Sequence, residues 1–184
     1  MKIEKTDIND LYIITPEVFR DNRGFFIEVC RKDKFKEAGI DVDFVQFNQS
    51  QSKKGVVRGL HFQWDKPLGK LIRVTKGNAF VVVVDIRKKS DTFKQWFGLE
   101  LSEDNKKLLY APSGFAAGFC ALSDLVDVQY GYTALYNSKA ESNIIWNDLD
   151  IGIEWPIKNP IISDRDKNAQ TFQNWVIRPE SELL

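Results

Sequence analysis

Apolar residues along this chain come in short runs broken by polar clusters rich in Gly, Pro, Asn and Asp, and few of the runs carry a helical period. Leu11-Tyr12-Ile13-Ile14 is apolar and β-prone, Asp21-Asn22-Arg23-Gly24 is a turn signal, and residues 25–29 resume an extended segment. Residues 32–39 are the exception: Phe35 and Ala38 share one side of a short helix that Gly39 stops. Residues 42–48 read as extended again. From Lys70 onward the pattern becomes regular, with strands expected over residues 71–75, 79–86, 95–101, 108–111, 115–122 and 126–136. Lys76-Gly77-Asn78, Lys88-Lys89-Ser90-Asp91 and Pro112-Ser113-Gly114 supply turns between them, and residues 102–107 are polar and irregular. The β-branched run at 79–86 suits a strand buried on both faces. Short strands, frequent turns and few helices predict an antiparallel sandwich or barrel with a few short peripheral helices. The segment from Trp155, richer in Pro, Asn and Asp, is expected to wrap the outside.

A length of 184 residues suits one domain with a sizeable core. A hydrophobic content of 43% with 12% aromatics is a globular composition. The 26 basic residues balance 26 acidic ones, so no bulk attraction to nucleic acid or to an anionic membrane follows. No apolar run reaches the roughly 20 residues that span a bilayer. The start, MKIEKTDIND, has no apolar signal core, and Cys30 and Cys120 read as small buried hydrophobes, not a disulfide. These features point to the cytoplasm. A single histidine excludes a two-histidine metal motif within one chain, and neither zinc-ligand spacing nor a Gly-rich phosphate loop is present.

The chemistry-bearing positions centre on Arg58-Gly59-Leu60-His61-Phe62-Gln63. Histidine, with a free pKa of about 6.5, exchanges protons readily near neutral pH. Arg58 can hold an anion nearby, and Gly59 permits close approach of a ligand or another backbone. Alone, His61 reads as a packed or surface histidine. Gln46, Asn48 and Ser50 share one strand face, which reads as solvated unless it lines a barrel interior. Lys70 follows the turn Pro67-Leu68-Gly69 and is either a surface charge or an amine reaching into a barrel mouth. Asp85, inside an apolar run, needs a partner from Arg58, Arg73 or Arg87 and reads as structural. Tyr130, Tyr132 and Tyr136 share a face, either as core aromatics or, against a polar pocket, as proton donors. Ser163-Asp164-Arg165-Asp166 offers carboxylates that can orient a histidine, or a capped loop.

Together these stretches resemble the nucleotide-sugar 3,5-epimerases, the dTDP-4-dehydrorhamnose 3,5-epimerase family. The matching segments are Asp21-Asn22-Arg23-Gly24-Phe25-Phe26-Ile27-Glu28, residues 44–50, residues 55–63, residues 67–71, Val84-Asp85-Ile86-Arg87, Trp146-Asn147-Asp148, Trp155-Pro156 and residues 162–166. They run in collinear order from about residue 5 to 170. The resemblance implies a cupin-like β-jelly roll spanning 1–184, with its core at about 40–140, N-terminal strands at a dimer interface and no metal or other cofactor. It implies a homodimer whose sites are shared between subunits, acting on a nucleoside-diphosphate 4-keto-6-deoxy sugar in deoxysugar and polysaccharide precursor biosynthesis.

By position, the resemblance makes His61 the general base, Asp166 its carboxylate partner, Tyr130 the general acid and Lys70 the stabiliser of the enolate oxygen. Arg23, Glu28, Gln46, Asn48, Arg58, Glu141 and Arg165 match sugar- or diphosphate-contacting positions, with Arg23 and Glu28 supplied by the partner subunit, and Tyr136 matches a base-stacking residue. Three positions depart from the family: Ala117 replaces a second pocket histidine, Val81 an aspartate and Gly131 a lysine. These departures open two other readings. One is inversion at C3 or C5 alone on another nucleotide sugar, such as a GDP-linked 4-keto heptose. The other is a non-catalytic sugar-nucleotide-binding jelly roll.

Overall fold

In the computed structural model, which describes residues 1–184, the alternating segments pair into antiparallel sheets. In chain order the strands are β1 (Lys2–Lys5), β2 (Tyr12–Thr15), β3 (Val18–Asp21), β4 (Gly24–Ile27), β5 (Gln46–Lys53), β6 (Val57–Gln63), β7 (Lys70–Lys76), β8 (Asn78–Asp85), β9 (Trp96–Ser102), β10 (Leu108–Ala111), β11 (Phe115–Ala121), β12 (Leu125–Tyr132) and β13 (Glu141–Asn143). A six-stranded sheet runs β1-β2-β10-β7-β12-β5 and faces a five-stranded sheet running β13-β6-β11-β8-β9. The non-sequential strand order within each sheet is that of a jelly roll. Helices are short: α1 (Lys32–Glu37), α2 (Asp164–Lys167), α3 (Phe172–Val176) and a 3-10 turn over Pro179–Leu183. No helix is long and apolar enough to cross a membrane.

Strand β8 explains the layering. Its odd residues, Val81 and Val83, pack between the sheets with Ile72, Val74, Phe119, Val126 and Val128. Its even residues, Val82 and Val84, point to the other side, where Leu60, Phe62, Phe172 and Trp175 form a second core. The C-terminal segment therefore covers the outer face of the five-stranded sheet, and Trp175 meets Phe62 edge-on with ring centroids 4.5 Å apart. Each such large buried side chain contributes roughly 1.5–3 kcal/mol. A third cluster lies under α1, whose Phe35 covers Tyr12, Ile14, Leu71 and Tyr110.

The structure corrects several local expectations. The run at 25–29 stops at Ile27 and forms a β3–β4 hairpin outside both sheets, leaving Phe19, Phe25 and Phe26 exposed. The strand expected over 126–136 ends at Tyr132, because Gly69 N donates to the Thr133 hydroxyl at 2.7 Å and pins a turn there. The extended segment at 42–48 joins a sheet only from Gln46. Cys30 is exposed, not buried: it lies between β4 and α1, away from any sheet interior, whereas Cys120 is buried in β11. Strands β1, β3, β6 and β13 are additions. β1 and β3 each pair with the next strand along the chain, whereas β6 and β13 are held by neighbours distant in sequence, β13 for example by β6.

Candidate active site

Strand β6 alternates in and out. Leu60 and Phe62 enter the outer core, so His61 turns between the sheets. Its Nε2 lies 2.6 Å from Asp166 Oδ1 across 105 residues of sequence. The backbone delivers that carboxylate: Ile161 bridges to Val56 beside the start of β6, and the Ser163 hydroxyl caps α2 by accepting from Asp166 N at 3.2 Å. Asp166 is 3% exposed and also accepts from Asn143 Nδ2 and, at 3.4 Å, from Gly59 N. Burial alone would raise its pKa, but the His61 hydrogen bond and charge, with the Gly59 and Asn143 donors, outweigh burial and leave it below the usual carboxylate value. An ionised Asp166 accepts the Nε2 proton, so a neutral His61 presents Nδ1 as a free lone pair. Gly59 is required here: at φ +124° a Cβ would sit 2.6 Å from Gly118 Cα, where β6 and β11 close on each other.

His61 lines a cavity of about 250 Å³ between the two sheets. The opposite wall comes from β7 and β12, which present Lys70, Tyr130 and Tyr132. Lys70 is buried and donates to the His61 carbonyl at 2.6 Å. Burial lowers its pKa to about 8, against the opposing charge of Glu141. Tyr130 and Tyr132 stack with centroids 5.5 Å apart and planes at 30°. Glu141 ties the rim together, pairing with Arg165 at 2.9 Å and accepting from the Tyr136 hydroxyl at 2.7 Å. Burial raises the Glu141 pKa, and the Arg165 and Tyr136 bonds more than offset this. The deep end is apolar, lined by Ile72, Val81, Phe119 and Val128.

The expected site residues thus largely converge. His61, Lys70, Arg58, Tyr130, Glu141 and Arg165 line the cavity, with Asp166 directly behind His61. The surface readings of His61 and Lys70 fail because alternation turns both side chains inward. So does the solvated reading of the Gln46-Asn48-Ser50 face, which pairs with Tyr132, Tyr130 and Val128 on the inner side. Gln46 Nε2 donates to Asn48 Oδ1 at 2.9 Å and its Oε1 accepts from Tyr136 N, while Asn48 Nδ2 and Ser50 Oγ are buried without partners. Asp164 is exposed, so only one carboxylate of the 163–166 segment reaches the histidine.

Arg23 and Glu28 do not reach the cavity of their own chain. Both are exposed on or beside the β3–β4 hairpin, where Arg23 pairs with Asp21 at 2.5 Å. The departures are also located. Ala117 stands opposite His61 in the β6–β11 register, and Val81 belongs to the apolar end. Gly131 faces outward, where a Cβ would lie 2.9 Å from the Phe47 ring. Two further residues contribute: Tyr132, whose even spacing from Tyr130 is its sequence signal, and Asn143, for which the sequence carries none.

The dTDP-4-dehydrorhamnose 3,5-epimerase family model matches residues 5–174. The dTDP-4-dehydrorhamnose 3,5-epimerase of Shigella flexneri is 49% identical over 174 residues, covering 94% of this chain and 96% of its own length. The epimerase of Legionella pneumophila, solved in complex with dTDP-4-keto-L-rhamnose, superposes with a TM-score of 0.93 at 41% identity, over 98% of this chain and 96% of its own. A 3'-monoepimerase of Streptomyces bikiniensis in complex with dTDP-quinovose superposes with a TM-score of 0.86 at 30% identity, over 91% of this chain and 86% of its own.

Proposed function

The chain belongs to the dTDP-4-dehydrorhamnose 3,5-epimerase family, and we propose that His61 and Tyr130 are its proton-transfer pair. It is an isomerase of nucleotide-linked deoxysugars. The ketone at C4 acidifies the protons on C3 and C5. His61 Nδ1 removes one of them, the electron pair moves onto the C4 oxygen, and the imidazolium is stabilised by Asp166. The Lys70 ammonium stabilises the enolate oxygen. Tyr130, on the opposite sheet, returns a proton to the other face and inverts the centre. Solvent then restores both groups. The observation that carries this reading is the pairing of His61, backed by a buried carboxylate, with Tyr130 across one cavity.

Arg58 and Arg165 supply forked donors suited to a diphosphate at the cavity mouth, and Tyr136, with Gln46 and Asn48, suits the nucleoside end. Relatives that act on dTDP sugars support a dTDP substrate over a GDP-linked heptose. Identity of 49% to a 3,5-epimerase, against 30% to a monoepimerase, supports inversion at both centres. Incubation with dTDP-4-keto-6-deoxyglucose in D2O tests this. Deuterium at both C3 and C5 is expected. Uptake at one carbon selects the monoepimerase reading, and uptake at neither overturns the assignment.

The working unit in this reading is a homodimer. Support comes from the β3–β4 hairpin, which carries Arg23 with exposed Phe19, Phe25 and Phe26, and from the open edge of β5, where Phe47 is 68% exposed. A second copy covering these surfaces would bring Arg23 and Glu28 to its neighbour's nucleotide. Sedimentation as a dimer, with Arg23→Ala raising KM and sparing kcat, is the expected result. A nucleotide-activated substrate is charged and does not cross bilayers unaided, which supports a cytoplasmic location.

A further inference from the structure

We propose that Tyr132 is a second hydrogen-bond donor to the C4 oxygen of the sugar, acting beside Lys70. The inference rests on the enolate reading above. Tyr132 and Lys70 are direct partners in the β7–β12 register, and both line the cavity. Directly opposed residues on neighbouring strands hold their Cβ atoms about 4.5–5.5 Å apart, so the two side chains rise from one spot on the wall. They also share the small recess formed with Glu141 and Tyr136. The Tyr136 hydroxyl is committed to Glu141, whereas no hydrogen bond within the chain engages the Tyr132 hydroxyl. Its ring is fixed by the stack on Tyr130, so an unpaired donor is held beside the lysine at little further entropic cost.

The groups around it make the two donors complementary in pH. Tyr130 on its own strand, Glu141 on β13 and Tyr136 beyond it all disfavour a phenolate at 132, and Arg165 on α2 is held by Glu141. Burial is the main cause, and it keeps the phenol protonated well above the ordinary tyrosine range. Lys70 loses its charge near pH 8, with His61 bound to it only through the backbone carbonyl. The phenol thus remains a donor where the ammonium fails.

The test is Tyr132→Phe, with Tyr132→Leu and His61→Ala in parallel, assayed by deuterium exchange across pH 6–10, and with dTDP affinity measured by calorimetry. Tyr132→Phe should lower kcat roughly 10- to 100-fold with KM changed less than about 3-fold and dTDP affinity retained. Wild-type kcat should settle to a reduced plateau above pH 8, whereas in Tyr132→Phe it should continue to fall. If Tyr132→Phe keeps wild-type kcat and only Tyr132→Leu loses it, the residue serves by stacking and the proposal is overturned. Exchange that survives His61→Ala would instead overturn the proton-transfer assignment.

Discussion

Two buried carboxylates on this scaffold have opposite fates. Asp85 is fully buried, and its oxygens accept from Arg87 Nε at 2.9 Å, Ser90 Oγ at 2.6 Å and Thr92 Oγ1 at 2.8 Å, with Arg87 Nη2 at 2.7 Å. Arg87 in turn holds Asp10 and lies over the Phe115 ring. Every charge in that cluster is spent on protein, and it does nothing but anchor the end of β8. Asp166 is almost as buried, but its main partner is an imidazole with one nitrogen left over and a cavity in front of it. Both carboxylates have lowered pKa values because donors outweigh burial. A perturbed carboxylate therefore does not mark the site here. What marks it is a partner that retains a free, proton-accepting face.

The widest separation between the two clusters should come from His61→Ala, which is expected to lower exchange about 10³–10⁴-fold, while the lost bond to Asp166, which keeps its Asn143 and Gly59 donors, costs about 1.5–3 kcal/mol of stability. Asp85→Ala should act on stability alone. Loss of the buried acceptor leaves the Ser90 and Thr92 hydroxyls short of a partner and Arg87 with Asp10 as its only carboxylate, at a cost of about 1–3 kcal/mol per orphaned group, read as a lower denaturant midpoint, while kcat per folded molecule is unchanged. Lys70→Met joins both behaviours in one residue. It should lower kcat about 10²-fold or more through loss of the ammonium at the enolate oxygen. It should also stabilise the fold. A lysine whose pKa falls from an ordinary 10.5 to about 8 binds its proton more tightly when unfolded, and holding it charged at neutral pH costs on the order of 3 kcal/mol. Since the bond to the His61 carbonyl is lost as well, a net gain of about 1–2 kcal/mol is expected by thermal denaturation.

Titration sharpens the contrast further. Activity should decline as pH rises through about 8, where Lys70 discharges. Stability should change at the acid end. The folded Asp85 pKa lies below the unfolded value of about 3.9, so its contribution is complete above that value and is lost as pH falls through the folded one. Asp85→Asn should flatten the acid limb of the stability profile without moving the alkaline limb of activity. The smallest effect should be that of Tyr136→Phe, which removes one hydrogen bond to Glu141 and should raise KM by less than about 10-fold with kcat intact.

Much of this could be read before any fold was known, and the gaps have physical causes. The β-branched run of β8 announced a strand buried on both faces, and Val81 through Val84 divide between the two cores accordingly. The alternation of residues 126–132 put Tyr130 and Tyr132 on one face. It could not say which face looked inward, so Gln46, Asn48 and Lys70 read as naturally on a solvated surface as in a cavity. Strands β6 and β13 were missed because Gly59 and the three-residue length of β13 weaken any local signal, and their ladders are formed with distant partners. Cys30 has apolar neighbours in sequence but not in space, because it lies between β4 and α1, outside any sheet interior.

By itself the sequence determined the class of fold, through turn spacing and strand alternation, and the roster of chemical groups, through collinear motifs around a single histidine. Tertiary structure alone decided what surrounds His61. Asp166 arrives from 105 residues away on a segment bridged to Val56 and meets the imidazole at Nε2, while Lys70 arrives from the facing sheet and donates to the His61 backbone carbonyl. Periodicity records which side of a strand a residue occupies. It carries no record of which sheet will close over that side, because closure depends on the summed burial of both cores.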